Sequence, residues 1–435
     1  MQERVFNAFD EKDRPSAELI EDCVHCGFCL SACPTYRETG NELDSPRGRI
    51  YLMKTASEGK IPMSGSLVKH LDLCLGCLAC EPACPSGVQY GRLIEAGRSQ
   101  IERRYERPLP ERIQRSFIFS LFPYPGRLKL VLPFFYLYQK LGIKGLIDST
   151  GILKSVSPGL ARMEEMLPEV SSPLVPRALP EVVPARGKKR FRVALLTGCV
   201  QSVFFSKTNE ATVRVLAENG CDVIIPRNQG CCGALSVHSG RLHEGRDFAK
   251  HLIRSFDALD VDAIIVNSAG CGSTMKEYGD LLEHDPAFAE RAHKISEKVR
   301  DVMEFLGDIG LAGELKALDM KITYQDACHL GHAQRIKDQP RSVLGQIPGV
   351  ELTELTESEL CCGSAGIYNM VEPGMSQRLL ERKIKHIRET GADCLVAGNP
   401  GCLLQIGRGL KQYGLEIKTA HPVELLDRSY RGAAE

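Results

Sequence analysis

The chain has 435 residues, with 55 Lys and Arg against 55 Asp and Glu, so its formal net charge is zero. That balance excludes nucleic-acid binding driven by bulk charge, and 43% hydrophobic with 25% charged residues excludes a wholly disordered chain. The abnormal quantity is cysteine, 18 residues in tight local groups, in a chain without tryptophan.

Residues 1–15 lack the apolar core and small-residue cleavage site of a secretory signal, so disulfides are not the expected use of these cysteines. The first eight form an internal repeat. Cys23-x2-Cys26-x2-Cys29-x3-Cys33-Pro34 recurs 51 residues later as Cys74-x2-Cys77-x2-Cys80-x3-Cys84-Pro85. Three thiolates at every third residue wrap one face of a small inorganic cube, and the fourth reaches the neighbouring cluster. The spacing assigns Cys23, Cys26, Cys29 and Cys84 to one [4Fe-4S] cluster, and Cys74, Cys77, Cys80 and Cys33 to a second. A pair of all-cysteine zinc sites competes with this, but such sites use two separated C-x2-C pairs. Segments 45–70 and 91–107 lack strand alternation and read mostly as helix, so 1–110 is a helical cluster domain. Arg47 and Arg49 start a helix beside the first cluster. They either tune its potential, bind a partner, or are ordinary helix-start charges.

Residues 111–170 read as a helical connector. Its part 111–145 sets one acid, Glu111, against Arg112, Arg115, Arg127, Lys129, Lys140 and Lys144, and holds eight of the chain's 27 Phe and Tyr. No stretch reaches the ~20 nearly uncharged apolar residues of a membrane-spanning helix. Two readings stand: a helical pair covering its own domain, or a basic aromatic surface resting on a membrane or a partner. Pro173, Pro176, Pro180 and Pro184 mark a strand-poor linker over 171–190.

Beyond the linker one pattern occurs twice, in modules 191–318 and 319–435. Cys199, Cys231-Cys232-Gly233 and Cys271 are followed by Cys328, Cys361-Cys362-Gly363 and Cys402, at offsets of 129, 130 and 131 residues. Apolar β-prone runs at 193–197, 223–225, 263–266, 321–324 and 394–397 alternate with charged helical segments such as 208–220 and 242–259. That alternation predicts α/β modules with parallel sheets. The lone cysteines follow predicted strands, where open α/β sheets bind ligands. Four thiolates per module point to a metal or iron-sulfur centre, with a vicinal disulfide, buried free thiols or zinc in one module as alternatives. The glycine after each cysteine pair predicts a crowded turn whose backbone approaches an inorganic core. Cys221 and Cys394 are left over in apolar strand segments and read as core. His25, His238, His243, His329 and His332 lie near cysteines, as ligands or proton donors or simply as surface residues. No dinucleotide, P-loop, zinc-protease or esterase fingerprint occurs, so oxidation of an organic substrate would need a separate flavoprotein.

On Cys23-Val-His-Cys-Gly-Phe-Cys29, Cys33-Pro-Thr-Tyr36, the run Glu42 to Leu52, Cys84-Pro-Ser-Gly-Val88, Gly230-Cys-Cys-Gly233 and Leu360-Cys-Cys-Gly-Ser-Ala-Gly366, the chain resembles the iron-sulfur subunits of glycolate oxidase (glycolate dehydrogenase) over essentially its whole length. Lactate-utilisation iron-sulfur proteins, the cluster subunit of anaerobic glycerol-3-phosphate dehydrogenase and heterodisulfide reductase share the cluster motifs. The resemblance implies an electron-transfer subunit of an FAD-dependent 2-hydroxy-acid dehydrogenase. It would take electrons from a flavoprotein oxidising glycolate to glyoxylate and pass them to a quinone or other acceptor. The chain itself would carry no FAD or NAD, and would be cytoplasmic and peripheral on the inner face of the membrane. The alternatives are the same role for D-lactate, another 2-hydroxy acid or glycerol-3-phosphate, or a catalytic protein like heterodisulfide reductase. In the last, a fifth cysteine precedes the final one, where Ser268 and Asn399 stand here. Each module is left with a four-cysteine [4Fe-4S] cluster, a labile cluster or zinc. The expected fold is multidomain: an α-helical two-cluster ferredoxin domain, then two duplicated α/β cysteine-rich modules.

Overall fold

The computed structural model describes residues 6–142, 164 and 178–432. Lys144, most of the connector beyond Gly142 and the linker residues 171–177 lie outside them.

The N-terminal part is helical. α1 (Pro46–Ser57) starts on Pro46, with Ser45 Oγ accepting from Gly48 N at 3.1 Å. α2 (Gly65–Asp72) is capped likewise by Ser64, and α3 (Tyr90–Arg104) follows the second cysteine run. Their apolar faces meet in one core through Ile50, Met53, Leu71, Leu93, Ile94 and Ile101, all buried. The cysteine loops are wound around this core and not into a sheet. α4 (Leu109–Leu121) and α5 (Pro125–Lys140) form the described part of the connector. Arg107 anchors the start of α4 to Asp72 at 2.8 Å and to Glu111 at 2.5 Å.

Each module is then an open sheet. In the first, β1 (Val182–Val183), β2 (Phe191–Leu195), β3 (Cys221–Ile224), β4 (Ala263–Val266) and β5 (Val299–Asp301) lie in the order β1-β3-β2-β4-β5. All neighbours are parallel except β1 on β3. In the second, β6 (Met320–Tyr324), β7 (Val350–Glu354), β8 (Cys394–Val396) and β9 (Lys418–Ala420) lie in the order β7-β6-β8-β9, all parallel. Replacing β2, β3, β4 and β5 by β6, β7, β8 and β9 turns one order into the other, so the repeated cysteine pattern is a repeated fold. β1 departs from the strand-poor linker. Val182 and Val183 pair with Ile224 and Val223 because β3 otherwise leaves an unpaired edge.

Among the helices of the modules are α6 (Ser206–Glu218), α7 (Leu242–Phe256), α8 (Ala269–Lys276), α9 (Pro373–Thr390), α10 (Pro400–Gln412) and α11 (Pro422–Arg431). Helices on the faces make the central strands apolar throughout: β4 is wholly buried. A single apolar core crosses both modules, from Val193 and Val223 through Ile322 and Tyr324 to Leu425. Arg214 of α6 clasps Asp427 of α11 at 2.8 and 3.0 Å across the same junction. Cys221 and Cys394 both belong to this core.

Candidate functional site

Local turns gather the first eight cysteines around two small cavities. Cys23, Cys26, Cys29 and Cys84 line one, with Arg47; Cys33, Cys74, Cys77 and Cys80 line the other, with Arg49. Cys80, Tyr90 and Pro46 line both, so the two share a wall. The short loops need left-handed backbone at Gly27 and Gly76, and impose it on His25 and Leu78 as well. Arg47 holds the first loop: it pairs with Glu42 at 2.5 Å and donates to His25 O at 2.9 Å.

Arg49 is buried at 1% exposure. Its Nε donates to His70 O at 2.7 Å, one terminal nitrogen to Thr35 Oγ1 at 3.0 Å, and the other stands 4.0 Å from Cys33 Sγ. This cation cannot be a partner contact; it sets the field inside the second cavity. Burial raises Cys77 and Cys80 well above the ordinary thiol range, and it would raise Cys74 too. There Arg49 and Arg98, the Tyr90 hydroxyl and the Gly76 N–H outweigh burial and hold the thiol below its usual value.

All eight module cysteines line a third cavity, of about 630 Å³. The topology explains the convergence. The chain leaves β2 to one side for β3 and returns to the other side for β4, and the crevice at that reversal lies at the strand ends. Cys199 follows β2 and Cys271 follows β4, as Cys328 follows β6 and Cys402 follows β8. Cys199 Sγ lies 3.5 Å from Cys231 Sγ. Thiol hydrogen bonds from Cys231 and Cys271 hold Cys232 well below the ordinary range, and those from Cys361 and Cys402 do the same for Cys362. All 18 cysteines are free, so no vicinal disulfide forms. Gly233 and Gly363 both have φ of +85°, and an added Cβ would stand 2.9 Å from Gly245 O and 2.7 Å from Ser376 O. The close approach at these turns is therefore to the backbone of α7 and α9.

The modules meet at this cavity, where Ser268 Oγ and Asn399 Oδ1 lie 3.4 Å apart and Ala269 N donates to Gly398 O at 3.1 Å. The second ferredoxin loop is docked against it. Tyr368 Oη donates to Leu73 O at 2.9 Å, His329 Nε2 lies 3.0 Å from Gly76 O, and Arg98 donates to His238 O at 2.7 Å and to Cys74 O. Leu75 consequently lines both the second and third cavities.

Of the candidate histidines, His238 and His329 line the third cavity with ring centroids 4.6 Å apart. Burial pushes His238 down to about 4 and His329 down to about 3. His25 is exposed, His243 is exposed beside Asp247, and buried His332 bonds to Glu359 O. None of these three lines the third cavity. Tyr90, Arg98, Tyr368 and Lys383 were not legible as site residues, and Arg115, counted in the sequence among the bases of a surface stretch, is instead buried and lines the third cavity. The only sequence signal is a polar residue on the apolar face of a helix, as with Lys383 on α9, buried at 1% exposure near Cys362.

Thiolates are the ordinary ligands of iron-sulfur clusters, and four of them around each of two joined cavities fit that group by donor chemistry. Among the described residues, no three Cys, His, Asp or Glu side chains are drawn together tightly enough to hold a single metal ion.

Comparison with known families agrees with the architecture. The family described as a 4Fe-4S dicluster domain matches residues 19–88, and the cysteine-rich domain matches twice, at 193–276 and 322–407. The linker region of the glycolate oxidase iron-sulfur subunit matches residues 110–167. A probable glycolate oxidase iron-sulfur subunit of Bacillus subtilis is 41% identical over 97% of this chain and 96% of its own length. The glycolate oxidase iron-sulfur subunit of Escherichia coli is 35% identical over 92% and 93%. Lactate utilization protein A of Shouchella clausii is 33% identical, over 54% of this chain and 98% of its own. A crystal structure of a hypothetical protein from Helicobacter pylori shares the fold at TM-score 0.55, with 11% identity, 91% of this chain and 70% of that one covered.

Proposed function

Because the chain belongs to the family of glycolate oxidase iron-sulfur subunits, we propose that it carries electrons within a glycolate dehydrogenase complex. It takes them from a flavoprotein subunit oxidising glycolate to glyoxylate and delivers them to a quinone or other acceptor. The observation that supports this best is the row of three thiol-lined cavities with shared walls, Cys80 between the first and second and Leu75 between the second and third. One-electron transfer needs such closely spaced centres.

On this reading Cys23, Cys26, Cys29 and Cys84 hold one [4Fe-4S] cluster, and Cys74, Cys77, Cys80 and Cys33 the other. Cys199, Cys231, Cys232 and Cys271, and Cys328, Cys361, Cys362 and Cys402, hold one further iron-sulfur centre or metal in each module, with zinc as the alternative in one of them. Bound clusters supply one-electron chemistry. The protein's own residues position and bias them: Arg47 and Arg98 hold the loops, and Arg49 adds a fixed positive charge. The functional units run 1–110, 111–170, 171–190, 191–318 and 319–435. Val24, Phe28 and Tyr51 are exposed large apolar residues, the first two lining the first cavity, and form the face on which the flavoprotein docks.

Among the described residues no helix is long and apolar enough to cross a membrane. α4 and α5 instead carry exposed apolar stripes, Leu109, Ile113 and Phe117 on one and Leu130, Phe134 and Leu137 on the other, with Arg112, Arg127 and Lys129 alongside. These helices rest on an anionic membrane surface. Replacing Phe117 and Phe134 together by Asp is expected to abolish flotation of the complex with anionic liposomes.

The test of the main reading is anaerobic affinity purification of the full chain from its native cells, with glycolate-dependent and D-lactate-dependent dye reduction by whatever accompanies it. A flavoprotein partner with glycolate activity is the expected result. A chain that emerges alone and reduces an organic disulfide would replace this reading with a catalytic reductase.

A further inference from the structure

We propose that the third cavity binds the ring of a lipophilic quinone, with α4 and α5 forming its apolar wall and Arg115 supplying a hydrogen bond to one quinone oxygen. This rests on the electron-transfer reading above and locates the acceptor site within it.

Size and lining set the ligand class. The volume of about 630 Å³ has to take the module centres as well as a ligand, and it lies within the range of small-molecule sites. Ile118, Phe122, Leu128 and Phe135 from α4 and α5 line it together with Leu235 and Met370 from the two modules. These are walls for a flat apolar molecule, and the cysteines of both modules line the same space. A substrate bound there stands beside the last centres of the chain.

A second observation is independent of the apolar lining. Arg115 lines the cavity and is buried at 8% exposure. One terminal nitrogen donates to Glu102 Oε1 at 2.6 Å, but its Nε has no hydrogen-bond partner. An unpaired buried N–H is costly and uncommon, and a quinone oxygen is an acceptor that satisfies it. Gln201 and Asn369, each buried at 4% exposure and lining the cavity, have a side-chain oxygen without a partner. Those acceptors suit the hydroxyls of the reduced product.

The route to the site comes from α4. Phe117 is half exposed on the outer stripe and also lines the cavity, so the face that meets lipid is continuous with the pocket wall. An acceptor dissolved in the bilayer reaches the modules without crossing water. The chemistry balances without another oxidant. Glycolate loses two electrons and two protons in becoming glyoxylate; the chain passes on the electrons singly; the quinone takes both, with two protons from solvent, and leaves as quinol.

The experiment uses the full chain with its metal centres, purified anaerobically with its flavoprotein, and azido-decylubiquinone as photoreactive probe. Label is expected on peptides of 109–128 and around 235, displaced by unlabelled decylubiquinone. Leu235→Trp, which narrows the cavity, is expected to reduce labelling about tenfold, the equivalent of one modest binding interaction. Arg115→Lys, which keeps the charge but lacks Nε, is expected to raise the KM for decylubiquinone about tenfold, the loss of one charged hydrogen bond, with a smaller change in kcat. Label elsewhere, label insensitive to Leu235→Trp, or displacement by oxidised glutathione in place of quinone would overturn the proposal. Glycolate-dependent dye reduction by the same preparation reports separately on the electron-transfer reading. Its absence would sink that reading, while labelling still decides the site.

Discussion

Arg49 offers the sharpest test of how the protein biases its own centres. Its guanidinium is buried, 4.0 Å from Cys33 Sγ, with donors spent on His70 O and Thr35. Two unit charges at 4 Å interact by about 4 kcal/mol at an effective dielectric of about 20. An electron added to a cluster held by Cys33, Cys74, Cys77 and Cys80 is shared over many atoms. If a quarter to a half of the interaction is felt, about 1–2 kcal/mol remains, or about 40–90 mV for a one-electron couple. Losing the cation disfavours the reduced state, so Arg49→Met should lower the potential of this cluster by that amount, and Arg49→Lys by less than half of it. The assay is a redox titration followed by electron paramagnetic resonance on anaerobically prepared protein, after iron content has shown both clusters present. The other cavity is lined by Arg47 and not by Arg49, so its signal should move far less. A fall below about 20 mV in the Met variant, an equal shift in both signals, or a rise would refute the argument.

Three further outcomes are expected. Cys33→Ser should deplete the signal that Arg49→Met shifts and spare the other, while Cys84→Ser does the reverse, read in the same titrations; the opposite pattern would mean each run ligates its own fourth cysteine. Gly233→Ala and Gly363→Ala should each cost about 2–4 kcal/mol in thermal unfolding, because a Cβ at φ +85° would strike the helix backbone. Glu357 is tied to Arg382 and to Arg37 of the ferredoxin part, and those cations hold its carboxyl down at about 2. A depressed carboxyl stabilises the fold above its unfolded value near 4.5 and loses that contribution as pH falls towards 2. Discounted for partial exposure, it is worth about 2 kcal/mol. Urea midpoints measured from pH 5 to pH 3 should fall less steeply for Glu357→Gln than for the parent, and identical slopes would remove Glu357 from the account.

Much of the architecture was legible because it is local. The two cysteine loops are read from residue spacing alone, since a thiol three residues on can only swing a short distance. The strands of the modules were legible as apolar runs because covered parallel strands have no polar face, and the offsets near 130 exposed the duplication. The short strands were not. β1 hides among prolines, β5 and β9 have three residues each, and β7 is largely exposed. Propensity is weak over such lengths, and pairing to an existing edge decides them.

The sequence by itself determined the helical cysteine-rich part, the two α/β modules and the chemistry implied by the thiols left once Cys221 and Cys394 are set aside as core. Only the tertiary structure decided that all eight module cysteines face one cavity, that Arg49 is enclosed beside Cys33 while Arg47 braces a surface loop, and that α4 and α5 wall the cavity and also present an apolar outer face. The physical reason is range. Periodicity and spacing act through a few bonds and are written in neighbouring residues. Which faces meet is settled by burial summed over a core that runs from Val193 to Leu425, and no stretch of sequence carries that sum.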